Sequence, residues 1–285
     1  MSAGPSTKGV AEIGFARRDG STRLAHLYQT DPLRVLFPIP EAGDPVQAAI
    51  VTTSGGLVAG DQIEIAVRIG HQARAHVTAS AAEKIYRSPA SGNGGPTTEI
   101  RQSLTIGAGG LLEFLPPETI LFDGARLRRE TVIELGPDAG FLGGDIVVFG
   151  RRARGERFTR GFLREVWEVR REGRLVWGDA LHLDGDITQI IDDPAGFDGA
   201  AGFATIILAP AAQDAGSFVE CARAVQSTTT ADAIRGGISV VSGLLIARWL
   251  SFDTLLMRRA YADLASHLRS AALGLPPRLP RIWHV

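Results

Sequence analysis

The chain reads as short alternating segments broken by glycine. Residues 62–69 place apolar side chains at every second position, the period of a strand buried on one face. Ala73, Ala75, Val77 and Ala79 alternate in the same way, and residues 128–135 do so again before stopping at Gly136-Pro137. Two short apolar runs, 104–106 and 111–115, are separated by Gly107-Ala108-Gly109-Gly110, a turn signal. Residues 162–169 and 174–177 flank Glu172-Gly173, which predicts a hairpin. Many short strands with glycine-rich turns predict a mainly β body over about residues 10–186. Periodicity leaves sandwich, barrel and β-helix open.

Residues 88–98 and 187–202 are loop-like, and the second stretch is a candidate boundary. Beyond it the texture becomes α+β, over about residues 203–285. Residues 203–208 read as a buried strand, 217–225 as a helix, and 240–249 as one or two strands. Asp253 is a good N-cap for a helix running to about Leu273. Leu256, Ala260, Leu264 and Leu268 form its apolar stripe, widened by Met257 and Tyr261. The tail from Pro276 carries three prolines and is expected to be extended. The whole is read as a single domain over residues 1–285.

Composition narrows the function classes. A formal net charge of −1 argues against a general nucleic-acid binder. With 45% hydrophobic and 21% charged residues, the chain can bury a substantial core. Cys221 is the single cysteine, so neither a disulfide nor a cysteine-based metal site forms within one chain. The first twenty residues lack an apolar core of the secretory type, and the apolar stretch 238–250 is short and interrupted by Gly243 and Arg248. These features predict a cytoplasmic protein with no membrane span.

The motif that stands out is Val51-Thr52-Thr53-Ser54-Gly55-Gly56-Leu57-Val58-Ala59-Gly60-Asp61. Gly55 and Gly60 have the glycine spacing of a phosphate-binding loop, but Asp61 and Gln62 stand where Lys and Ser/Thr are needed, and a carboxylate repels phosphate. The alternative is a hairpin turn in which Asp61 accepts local backbone N–H groups. The six histidines are scattered and predict surface or partly buried side chains rather than a permanent nickel or zinc site. Carboxylates at turns or inside apolar stretches are more informative: Asp61, Glu83, Glu113, Glu118, Asp123, Asp145 and Glu156. On an alternating strand Glu113 shares a face with Leu111 and Leu115, so it is either salt-bridged to an arginine or part of a weak, transient cation site. Oxygen ligands hold divalent transition metals less tightly than imidazole or thiolate, which suits passage more than storage. Pro116-Pro117 marks a strand exit.

Taken in chain order, these blocks resemble the UreD/UreH family of urease accessory proteins. The resemblance rests on Gly55, Gly56, Gly60 and Asp61, and on Lys84, Tyr86, Arg87 and Ser88. It continues through Leu112, Glu113, Leu115, Pro116, Glu118, Ile120, Phe122, Gly124 and Ala125. Gly150, Arg151, Gly155, Glu156 and Phe158 follow, then the terminal Pro280-Arg281-Ile282-Trp283. The sequence departs at Ser54, in place of a usual proline, and at Gly143-Gly144-Asp145, where the family pattern has a bulky aromatic pair followed by Glu. The resemblance implies a β-helical, two-layered β-sheet body with a few helices toward the C-terminus, and a chaperone-like scaffold without catalysis of its own. Its implied partners are a second accessory protein of the UreF type, a nickel GTPase of the UreG type, and apo-urease, on which the assembly docks to help insert nickel. No tightly bound cofactor is implied, only transient Ni²⁺. Asp61, Glu113, Asp145 and Glu156 are the candidates for the nickel path, and Arg281, Ile282 and Trp283 for partner docking. Two rival readings are a carbohydrate-active hydrolase with paired carboxylates, Glu113 with Glu118 or Asp61 with Glu64, and a metal-free adaptor.

Overall fold

The computed structural model describes residues 6–89, 95–211, 214–229 and 234–284. The predicted loop 88–98 therefore falls partly outside the described residues, at 90–94. In chain order the strands are β1 (Lys8–Arg18), β2 (Ser21–Gln29), β3 (Leu33–Leu36), β4 (Val46–Thr52), β5 (Gln62–Ile69), β6 (Arg74–Ala79), β7 (Glu83–Ile85), β8 (Thr98–Ile106) and β9 (Leu111–Phe114). They continue with β10 (Thr119–Leu121), β11 (Arg126–Leu135), β12 (Gly140–Phe149), β13 (Phe162–Arg171), β14 (Arg174–Asp184), β15 (Gly202–Ala209), β16 (Ile234–Val241) and β17 (Leu244–Ser251). The α-helices among the described residues are α1 (Ile187–Asp192), α2 (Val219–Thr229) and α3 (Thr254–Leu273).

The strands form two sheets. The first has the order β14-β13-β11-β8-β5-β1-β2, and the second the order β16-β17-β15-β12-β9-β6-β4-β3, with β7 and β10 attached beside β12. From β4 to β13 the chain passes back and forth between the sheets, advancing one strand position each time. Neighbours β1, β5, β8, β11 and β13 are therefore parallel, as are β4, β6, β9 and β12. A parallel pair needs a crossover connection; here a strand of the opposite sheet supplies it. The coil stacks like on like: Ile13, Val67, Leu104, Ile133 and Val169 stand in register across the first sheet, all fully buried. They belong to the core between the sheets, while a second core lies between the outer face of the second sheet and the α2/α3 layer.

Local signals explain most elements. The Glu172-Gly173 hairpin joins β13 to β14, with both residues at positive φ, as a two-residue turn requires. Helix α3 starts where Asp253 accepts N–H bonds from Leu255 and Leu256, and it ends at Gly274 in the left-handed conformation. Its buried side comprises Met257, Ala260, Tyr261, Leu264 and Leu268, together with Arg269. Two expectations are corrected. The glycine block is not a hairpin turn but the crossover from β4 in the second sheet to β5 in the first. The tail does not stay extended: it closes in a short 3₁₀ turn, Arg281–His284, with Trp283 2% exposed and stacked on Tyr261 at 6.2 Å. Burying an indole outweighs the extended preference of the prolines, and Pro280 accepts the N–H of Trp283 at 2.9 Å.

Candidate functional site

The crossovers bring the glycine block, the Lys84–Ser88 stretch, residues 118–126 and residues 150–160 together in one patch. Gly56 has φ +147°, and a Cβ there would lie 2.6 Å from the Tyr86 ring, so only glycine admits this approach. The Tyr86 hydroxyl donates to the Gly55 carbonyl at 2.9 Å, and its ring meets Phe122 edge-on at 5.0 Å. The Arg87 Nε donates to the Asp123 carbonyl at 3.0 Å, and Arg151 lies over Phe122 at 4.4 Å. Glu156 pairs with Arg151 and accepts the Asp123 N–H at 2.6 Å. The Asp123 carboxylate accepts from the Thr159 hydroxyl and from the N–H groups of Thr159 and Arg160; against partial burial, these bonds hold it below the usual carboxylate range. Asp61 is buried at 4% exposure and ties the same region to the N-terminal strand, accepting from Thr7 N–H at 2.9 Å and Val58 N–H at 2.8 Å. The local N–H acceptance expected of Asp61 is present at Val58, and the approach of the segment leading into β1 covers the carboxylate.

Between the sheets lies a charge cluster that is not balanced. Arg129 projects inward from β11 and donates to Asp145 on β12 at 2.6 Å, to Glu165 on β13 at 2.9 Å, and to the Thr119 hydroxyl at 2.9 Å. One guanidinium thus faces two buried carboxylates, and Asp145 Oδ1 and Glu165 Oε2 accept no hydrogen bond. Burial, and then the Glu165 charge, push the Asp145 carboxyl well above its ordinary range despite Arg129. A cavity of about 60 Å³ adjoins Arg129 on the other side, lined among others by Thr52, Glu83, Gln102 and Thr119. Burial raises the Glu83 carboxyl there, and the bond from the Thr52 hydroxyl at 2.6 Å offsets this only partly. The Gly143-Gly144 departure keeps this interior filled: a side chain at Gly143 would collide with the Phe141 ring, and one at Gly144 with the Thr205 carbonyl. Phe141 supplies the aromatic bulk from two positions earlier.

A second charge cluster lies on the opposite face of the second sheet, and it is closed. Glu113 does share a face with Leu111 and Leu115, as its alternation predicts, and is fully buried. Arg269 on α3 grips it at both oxygens, 2.7 and 3.0 Å, and His76 Nδ1 lies 3.3 Å away. The same guanidinium donates to Asp44 and to the carbonyls of Pro276 and Arg278, while Arg278 completes Asp44 at 2.9 Å. Burial alone would raise Glu113; bonds from His76 and Arg269 outweigh it and hold its pKa at about 2. His76 corrects the expectation of surface or partly buried histidines, because α3 and the tail cover the face on which it stands.

The four carboxylates singled out from the sequence are not brought together. Asp61 sits in the crossover, Glu156 in the end patch, Glu113 under α3, and Asp145 between the sheets. Among the described residues no three His, Cys, Asp or Glu side chains form a cluster that could hold a metal ion, and no helix is long and apolar enough to cross a membrane. In the tail, Arg281 is exposed, Ile282 half-buried and Trp283 internal, with Arg258 over the indole at 4.4 Å. Sequence reasoning missed Arg129, Glu165 and Arg269. Each leaves a trace: Leu127, Arg129, Thr131 and Ile133 share one phase of a strand, as do Leu163, Glu165, Trp167 and Val169, and Arg269 continues the ladder Tyr261, Ala265.

Comparison with known proteins agrees in extent with this chain-long arrangement. The family model described as UreD urease accessory protein matches residues 7–284. A protein of Magnetococcus marinus named urease accessory protein UreD is 42% identical over 98% of this chain and 94% of its own length. Proteins of the same name from a Methylobacterium species and from Rhodopseudomonas palustris are 40% and 38% identical, over 93% and 98% of this chain and 89% and 91% of theirs.

Proposed function

This chain belongs to the UreD family of urease accessory proteins, and on that premise we propose that it is a maturation scaffold without catalysis of its own. Acting in the cytoplasm with a second accessory protein of the UreF type and a nickel GTPase of the UreG type, it docks on apo-urease and helps nickel reach the active site. Nickel is cargo in this reading, not a resident cofactor. The observation that carries it is the under-neutralised pair between the sheets. Asp145 and Glu165 each keep an oxygen without a hydrogen bond, and a single guanidinium, Arg129, is shared between them. A divalent cation can replace the proton that burial and Glu165 favour on Asp145, and carboxylate oxygens release it again more readily than imidazole or thiolate would. Of the candidates for the nickel path, Asp61, Glu113 and Glu156 have both oxygens engaged by N–H donors or guanidinium groups, whereas Asp145 keeps Oδ1 unbonded and is the one with capacity to spare. For partner docking, Arg281 offers the exposed contact, beside half-buried Ile282 and above a base pinned by Trp283.

The test is co-expression of urease with its accessory proteins carrying Asp145→Asn together with Glu165→Gln. The complex should still assemble, judged by co-purification, while the nickel content of urease falls at least tenfold. Full nickel loading by the double variant would remove the transit role. Loss of co-purification on Arg281→Ala, with melting unchanged, is the expected signature of docking through the tail; full co-purification would end that assignment.

A further inference from the structure

On one side the two sheets gape. A cleft of about 520 Å³ opens there, lined by Leu181 of β14, Phe197, Phe203 and Thr205 of β15, with Asp179 and Arg248 also in its wall. Strand register shows where it leads. In the second sheet Arg248, Thr205 and Asp145 stand directly opposite one another across β17, β15 and β12, so their side chains leave the same face. In the first sheet Leu181, Glu165 and Arg129 do the same across β14, β13 and β11. Two facing rows thus run from the cleft to the carboxylate pair, and Arg248 is two strand spacings, about 10 Å, from Asp145.

Asp179 belongs to the first sheet and Arg248 to the second, so their ion pair bridges the sheets across the mouth. Trp177 lies beneath the guanidinium at 5.6 Å. The other rim arginine, Arg235, pairs with Asp198 in the loop before β15 and does not cross to the first sheet. Both latch partners are about one-third to one-half exposed, at 34% and 46%. Ion pairs at such positions are weak and open readily. A permanent brace between sheets would be apolar or buried; this one is placed where it can part.

We propose that the Asp179–Arg248 pair is a latch on a side entrance to the Asp145–Glu165 carboxylates, admitting a hydrated divalent cation when it opens. The assignment rests on the transit reading only for the identity of what enters. Opening parts Arg248 from Asp179 and moves its positive charge away from the path. It leaves Thr205, Leu181 and the carboxylates in place.

The test is carboxyl labelling of the full chain with a water-soluble carbodiimide and a small amine, read by peptide mass spectrometry without added metal. Asp145 and Glu165 should be protected in the parent chain. Asp179→Asn and Arg248→Gln should each raise their labelling about fivefold, the scale of one exposed ion pair. The charge-exchanged variant Asp179→Arg with Arg248→Asp should restore protection. Glu113, buried in the other layer, is the internal control and should stay unlabelled throughout. Labelling of Asp145 and Glu165 within twofold of the parent in both single variants overturns the latch. So does a parallel rise at Glu113, which would make the pair a structural brace. An open entrance together with full nickel loading by Asp145→Asn, Glu165→Gln would keep the latch and discard the transit reading; closed protection in both single variants would discard the latch alone.

Discussion

The two buried charge clusters use the same chemistry to opposite ends. Under α3, Arg269 and Arg278 meet Glu113 and Asp44, with His76 alongside, and every carboxylate there has a cationic partner. Between the sheets, Arg129 is shared by Asp145 and Glu165, and two oxygens are left over. A balanced buried network costs desolvation but fixes geometry, whereas breaking it strands a charge. An unbalanced one keeps an affinity for whatever restores neutrality, whether a proton or a metal cation. The first cluster clamps the C-terminal helix and tail onto the second sheet; the second is the part of the interior with something still to bind.

The contrast is broken most severely at Arg269. Arg269→Ala leaves Glu113 and Asp44 short of their shared partner, and urea unfolding should show a loss of about 3–5 kcal/mol; a loss under ~1 kcal/mol would mean that this cluster is not a clamp. Next comes the indole that the clamp shelters. Trp283→Ala should cost about 3 kcal/mol by cavity formation, seen as an earlier thermal transition, and removal of residues 277–285 should destabilise the chain rather than leave its melting unchanged.

Acid separates the clusters by sign. Glu113 ionises at about 2 in the folded chain against an ordinary 4.5, so its contribution is complete above 4.5 and is lost as pH falls toward 2. The amount is about 3 kcal/mol. Asp145 is shifted upward instead, so the folded chain holds its proton where the unfolded chain has released it near 3.8. Its contribution therefore declines as pH rises from 3.8 through the folded value. Stability curves against pH for Glu113→Gln and Asp145→Asn should each lose one of these opposed slopes; identical curves for the two variants would dissolve the distinction. The smallest effect on stability belongs to Asp145→Asn at neutral pH. The amide stands in for a carboxyl that the fold favours in its protonated form and keeps an acceptor for Arg129, so unfolding should shift by no more than about 1 kcal/mol. A loss as large as that of Arg269→Ala would place both clusters in the same structural role.

Much of this was legible in the order of residues. The β13–β14 hairpin, the capped helix α3, the strand phase of Glu113 and the family-wide blocks are local patterns, because turns, caps and alternation depend on residues within a few positions of one another. Alternation assigns a side chain to a face but not what covers that face. The second sheet is covered on both sides, so His76 and Glu113 are interior although an ordinary half-buried strand would leave that face in water. Asp61 read as a turn residue bonded to local N–H groups, and it also accepts from Thr7, just before β1 and 54 residues away in sequence. Arg269 and Glu113 are separated by 156 residues. The sequence by itself determined the strands, the helix and the family, since these follow from short-range periodicity and local backbone chemistry. Only the tertiary structure decided which carboxylates are neutralised and which keep a free oxygen, because the energy of a buried charge is set by partners that the winding of the two sheets delivers from elsewhere in the chain.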